Sequence, residues 1–139
     1  MILLALLLSL VLLFLAGLHG WWGLGGIWPA PSERDLARSV IGDGRVRMPP
    51  PWQCYAVAVL LTVIAVWPWL ILGAPDNPIV ITGTVAIAGV FFARCLVAYS
   101  PHWRAHFWAE PFATHDKRLY APLCLTLAVG FAALLESGM

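Results

Sequence analysis

Three stretches of this chain gather side chains that can titrate, hold an anion or coordinate a metal. The first is His19-Gly20-Trp21-Trp22-Gly23-Leu24-Gly25-Gly26, an imidazole set among indoles and glycines. The second is Arg94, alone in an otherwise apolar run, and the third is Thr114-His115-Asp116-Lys117-Arg118-Leu119-Tyr120-Ala121-Pro122-Leu123-Cys124. A histidine near a membrane surface titrates close to neutral pH, so His19 and Asp116 are the candidate acid and base. Arg94 and Arg118 have the chemistry to hold an anionic head group, and Trp22 and Tyr120 to line the same site. Each stretch also has a plainer use. Indoles anchor at head-group level, glycines end a helix, Thr114 or Asp116 can cap one, and Arg94 can snorkel.

The elements that must position these groups follow from composition. Of 139 residues, 61% are hydrophobic and 11% charged, with a mean hydropathy of +0.84. Soluble domains carry roughly 25% charged residues, so the chain reads as a membrane protein. Four apolar runs, at about 2–22, 52–72, 78–99 and 118–135, each approach the roughly 20 residues needed to cross hydrocarbon. The expectation is an all-α, integral membrane four-helix bundle forming a single membrane domain over 1–139. The first run lacks a basic leader and a small-residue cleavage site, and is expected to stay in place.

All eight Lys and Arg residues fall on one side of these runs. Arg34, Arg38, Arg45 and Arg47 follow the first run, Arg94 ends the third, and Arg104, Lys117 and Arg118 precede the fourth. The positive-inside rule then makes both basic loops cytoplasmic and leaves both termini on the other side of a bacterial inner membrane. A basic surface of this kind faces anionic head groups, and it points to topology rather than to nucleic acid.

Finer marks are also legible. Ala5, Ser9, Ala16 and Gly20 form a small-residue stripe suited to close helix approach, and Gly89 with Ala93, and Ala128 with Ala132, repeat the pattern. Pro68, between Trp67 and Trp69, is expected to bend or end the second helix in an outer aromatic belt. The short link from Gly73 to Pro78 makes the second and third helices antiparallel neighbours, with Asp76 or Asn77 as a cap. Ser32 and Ser100-Pro101 open two short interfacial helices in the basic loops. Six of the eight tryptophans lie at that end, more than anchoring alone requires, so a covered, partly re-entrant surface is expected.

Arg94 costs roughly 3 kcal/mol in hydrocarbon unless it finds a partner, and Asp116 is the best-placed acid. Cys54, Cys95 and Cys124 are expected to stay reduced on the cytoplasmic side, and no Cys-x-x-Cys spacing marks a redox or zinc motif. With His19 they lie near one level, and His102 and His106 are one helical turn apart with His115 following. The histidine spacing suits a metal, but exposed interfacial histidines are more often simply solvated, and the cysteine set has no local metal-binding spacing, so no metal or other cofactor is assigned.

His19-x-x-Trp22-x-x-Gly25-Gly26, Arg94 and Phe112-Ala113-x-x-Asp116-x-Arg118-Leu119-Tyr120-x-Pro122-Leu123-Cys124 together resemble an uncharacterised family of bacterial four-helix membrane proteins, domain of unknown function family 3995. The resemblance spans nearly the whole chain, and its last run is the most specific part. It implies fold and topology and supplies no reaction. The stretch from Cys95 to Ser100 departs from the family's pattern.

The leading expectation for function is an accessory protein whose cytoplasmic end binds a lipid, an isoprenoid-type molecule or a larger membrane complex through an aromatic and polar pocket. The alternative is a membrane-embedded enzyme acting on a lipid-type substrate with His19 and Asp116 as acid and base. A small transporter is weaker, because no charge falls near the middle of a run, where coupling sites lie.

Overall fold

A computed structural model describes residues 1–139 as six helices and no strand. They are α1 (Ile2–Gly23), α2 (Glu33–Val40), α3 (Pro51–Gly73), α4 (Pro78–Val97), α5 (Pro101–His106) and α6 (Phe112–Gly138). Of these, α1, α3, α4 and α6 are long and apolar enough to cross a membrane. Their outward faces are apolar too, with Leu3, Leu10, Val59, Val90 and Val129 all exposed, as suits a lipid surround.

Helix starts follow the expected caps. Ser32 Oγ accepts from the Asp35 amide, Asn77 Oδ1 from Ile79, and Ser100 Oγ from Trp103, each meeting a donor that the first turn leaves free. Pro51, Pro78 and Pro101 stand at first-turn positions, where a missing amide costs nothing. Pro68 does not end its helix. It is buried inside α3, which continues to Gly73.

The long helices assemble as two tight antiparallel pairs, α1 with α3 and α4 with α6. In the first pair Ala5, Ser9 and Ala16 are buried as the small-residue stripe predicts, and Ser9 Oγ donates to the Ala65 carbonyl at 2.6 Å. Trp69 Nε1 donates to Ser9 Oγ at 3.0 Å and Trp67 Nε1 to Thr84 Oγ1 at 3.1 Å, so these indoles tie helices together rather than only anchoring in a belt. Despite their short link, α3 and α4 make the looser contact. The Trp67 ring fills the space between them, seated on Gly83, where a Cβ would collide with it. The pair Gly89 and Ala93 is exposed, with open space where a Cβ on Gly89 would stand, and Ala132 is likewise exposed while Ala128 is buried. The close contacts on those helices fall instead at Gly83 and at Gly130, which faces Leu8.

The two pairs join at the end opposite the basic loops, through a core of Leu8, Leu12, Ile71, Val80, Phe131 and Leu134 and their neighbours. At the basic end they are joined by their loops. Helix α2 buries Leu36 and Ala37, contacts the first turn of α6, and stops at Gly42, whose φ of +79° favours glycine and whose missing side chain leaves room for the Phe112 ring. The Ala109 amide donates to the Gly42 carbonyl at 2.9 Å and Arg38 Nε to the Glu110 carbonyl at 3.1 Å, so the two basic loops share one end and cover it.

Candidate functional site

Helix α6 starts six residues before the expected position, and that shift creates the site. Neither Thr114 nor Asp116 is its cap. Glu110 caps it from outside, accepting from the Thr114 amide at 3.1 Å and the Thr114 hydroxyl at 2.9 Å, and these bonds hold its carboxyl below the usual glutamate range. The polar run 114–118 therefore lies inside the helix.

Within that run the backbone ladder widens to a π turn over Asp116–Tyr120, with the Ala121 amide reaching the Asp116 carbonyl. Pro122 follows and has no amide to donate. In this wider register the carbonyl left without its partner is that of Lys117, and the Tyr99 hydroxyl donates to it at 2.8 Å. The extra residue turns Asp116 fully inward, at 0% exposure, while Lys117, Arg118 and Leu119 stay exposed.

Both oxygens of Asp116 are occupied. Oδ1 accepts from Arg94 Nη2 at 2.6 Å, and Oδ2 from Trp103 Nε1 at 2.8 Å. The Arg94 guanidinium also lies over the Trp103 ring, with Cζ 4.7 Å from its centroid. One acid from α6, one base from α4 and one indole from α5 thus close on each other. This arrangement meets the cost of an arginine one turn inside an apolar helix, because the charge is paired and its face is covered. Trp103 is the member that sequence reasoning missed as a site residue. One signal was Ser100-Pro101, which starts α5 and fixes Trp103 in the first turn. Beyond Asp116, Arg94 Nη1 is buried with no partner, as is Arg104 Nη1.

None of the remaining sequence candidates bonds to this node. His19 Nδ1 is 2.7 Å from the carbonyl of Leu15 on its own helix, so that nitrogen carries the proton and donates, and the ring packs on Trp22 with centroids 5.0 Å apart. Trp22 Nε1 donates to the Trp28 carbonyl at 2.8 Å, closing the turn after α1. Tyr120 donates to the Ser39 carbonyl at 2.8 Å and packs on Phe112, holding α2 against α6. Arg118 is exposed and unpaired. Aromatic rings run on from the node, Trp103 to Phe107 at 4.2 Å and Phe107 to Phe112 at 6.0 Å. No three or more His, Cys, Asp or Glu side chains converge in a geometry for a metal. Nor do His102, His106 and His115 form such a group. His106 lies edge-on to Phe107 and His115 to Tyr120.

The chain belongs to a family described as protein of unknown function (DUF3995), whose family model matches residues 12–131. That match takes in every residue of the node. No curated protein and no solved structure matches the chain.

Proposed function

We propose that this DUF3995 protein is a multi-pass four-helix bundle of the bacterial inner membrane, with its basic end in the cytoplasm and both termini on the opposite side, and that it acts as an accessory protein holding an amphiphilic lipid or isoprenoid-type molecule at that end. The observation that carries the reading is the rim of the basic end. Lys117 and Arg118 stand exposed and unpaired next to Leu119, which is 56% exposed, and Trp108 in the same basic loop is 64% exposed, while the buried charge of Arg94 and Asp116 is already neutralised. Exposed cations interleaved with large apolar side chains suit an anionic head group with its hydrocarbon tail. Arg94, Trp103 and Asp116 then serve as the frame under the binding surface, and Tyr120 as its strap to α2.

The acid–base alternative finds less support. Asp116 has no free oxygen and no exposure, and His19 is tied into its own helix with no bond to Asp116. Binding is tested in nanodiscs by native mass spectrometry. Wild-type protein is expected to retain anionic phospholipid in preference to zwitterionic, and Lys117→Gln with Arg118→Gln to lose most of that preference. Equal retention of both lipids by wild type and variant would refute the reading. Orientation is tested with a cysteine at exposed Arg34 in a cysteine-free background, which should react only from the cytoplasmic side; periplasmic labelling would reverse the topology.

A further inference from the structure

Phe14, Gly17, Leu18 and Trp21 share one face of α1, opposite the stripe of Ala5, Leu8, Leu12 and Ala16 that is buried in the bundle. With Trp28 from the following loop they line an open groove of about 440 Å³, a size typical of ligand sites. Gly17 is its floor, with nothing within 4 Å of where a Cβ would stand. Phe14 stands one turn to the N-terminal side and Trp21 one turn to the loop side, and both rings are exposed.

The walls are held in place. The Trp21 ring is seated on Gly26, where a Cβ would collide with it, and the Gly26 amide donates to the Trp21 carbonyl at 2.9 Å. The Trp22–Trp28 hydrogen bond ties the loop that carries Trp28 back to the end of α1. Rings fixed in this way give up little freedom when a ligand lies between them.

The lining holds no charged side chain, so a head group finds no partner in the groove. Hydrocarbon does. Helix α1 is long and apolar enough to cross a membrane, and this face points away from the bundle, where lipid tails would meet it. Seven residues separate Phe14 from Trp21, a rise of about 10 Å, and Trp21 is within a turn of Gly23, where α1 ends. The groove therefore runs from the helix end into one leaflet, whose hydrocarbon is roughly 15 Å deep. An acyl chain descending from head-group level lies along it, with aromatic rings on its flanks and the α1 backbone beneath it at Gly17, and gains more dispersion contact than on a flat helix face.

We propose that this groove is a fixed site for one acyl chain of a phospholipid in the leaflet at the basic end. It shares no residue with the rim of Lys117, Arg118, Leu119 and Trp108. It takes the chain whatever charge the head group carries. The proposal thus goes beyond the reading of the rim and survives its failure.

The test is native mass spectrometry of the protein from nanodiscs of phosphatidylcholine, a zwitterionic lipid that gives the rim cations no net charge to prefer. Wild type is expected to keep one lipid, and so is the variant with Lys117→Gln and Arg118→Gln. Gly17→Leu fills the floor from a position where a Cβ meets nothing, and should lower the lipid-bound fraction several-fold while circular dichroism shows the fold intact. Gly89→Leu, at an equally open glycine on the outward face of α4, should leave it unchanged. Equal retention by wild type and Gly17→Leu would overturn the proposal. So would a dimer that Gly17→Leu dissolves, since a second copy would then fill the groove, or retention only of an added long-chain isoprenoid alcohol. A phosphatidylcholine with a diazirine midway along one chain gives the second readout. Photolysis should label residues 14–28 in wild type and much less in Gly17→Leu; no label on that segment in wild type would also overturn the assignment.

Discussion

The α1–α3 and α4–α6 pairs solve the same packing problem by different means. Between α1 and α3 the contact is small and neutral: Ala5, Ser9 and Ala16 admit the facing backbone, and one hydroxyl is bonded by a carbonyl and an indole. Between α4 and α6 the alanines recur, but beside them lie an ion pair, two thiols, a π turn and an indole supplied by a loop helix. In lipid the hydrophobic effect does not hold helices together, so small residues and a few hydrogen bonds suffice for a seam. The charges and distorted backbone of the second pair exceed what packing requires, and they stand at the end where the basic loops close over the helices.

The largest expected difference between the seams comes from Asp116→Ala, which strands Arg94 and the Trp103 donor together. It should cost about 3 kcal/mol of stability in detergent, read from thermal unfolding. A loss no greater than that of a neutral seam substitution would make the ion pair dispensable. Next is Gly83→Ala, whose Cβ would drive into the Trp67 ring between α3 and α4 and should cost about 2 kcal/mol by overpacking. Gly89→Ala is its control, since nothing lies near that position; it should leave the unfolding temperature unchanged or slightly raised. In the neutral seam Ser9→Ala removes one donor and one acceptor and should cost about 1 kcal/mol. The smallest effect is pH-linked. Because Thr114 lowers the Glu110 pKa in the folded protein, its contribution is complete above the ordinary glutamate value and is lost as pH falls through the lowered one. The difference in unfolding temperature between wild type and Glu110→Ala should therefore be present at neutral pH and vanish in acid.

Hydropathy alone located three of the long helices to within about two residues, because hydrocarbon thickness fixes their length. It failed at the start of α6, where Thr114 to Arg118 looks like a solvated loop and is instead a helix segment buried on one side under α2 and α5. Arg94 and Asp116 were legible as partners because a charge inside an apolar helix needs one and few acids lie at its depth. Trp103 was not, since indoles at this end also fit interfacial anchoring, and only the cap at Ser100 distinguishes it. The seam positions of α4 were misread at Gly89 and Ala93. Small residues face lipid as readily as a neighbour when larger groups such as Trp67 and Phe91 set the spacing.

The central claim, that the basic end is organised around Arg94 and Asp116, is tested most directly by a double-mutant cycle on thermal stability with Arg94→Gln, Asp116→Asn and the pair. The account predicts a coupling of about 1 kcal/mol or more, with the double variant less destabilised than the singles sum to. Strictly additive losses would contradict it.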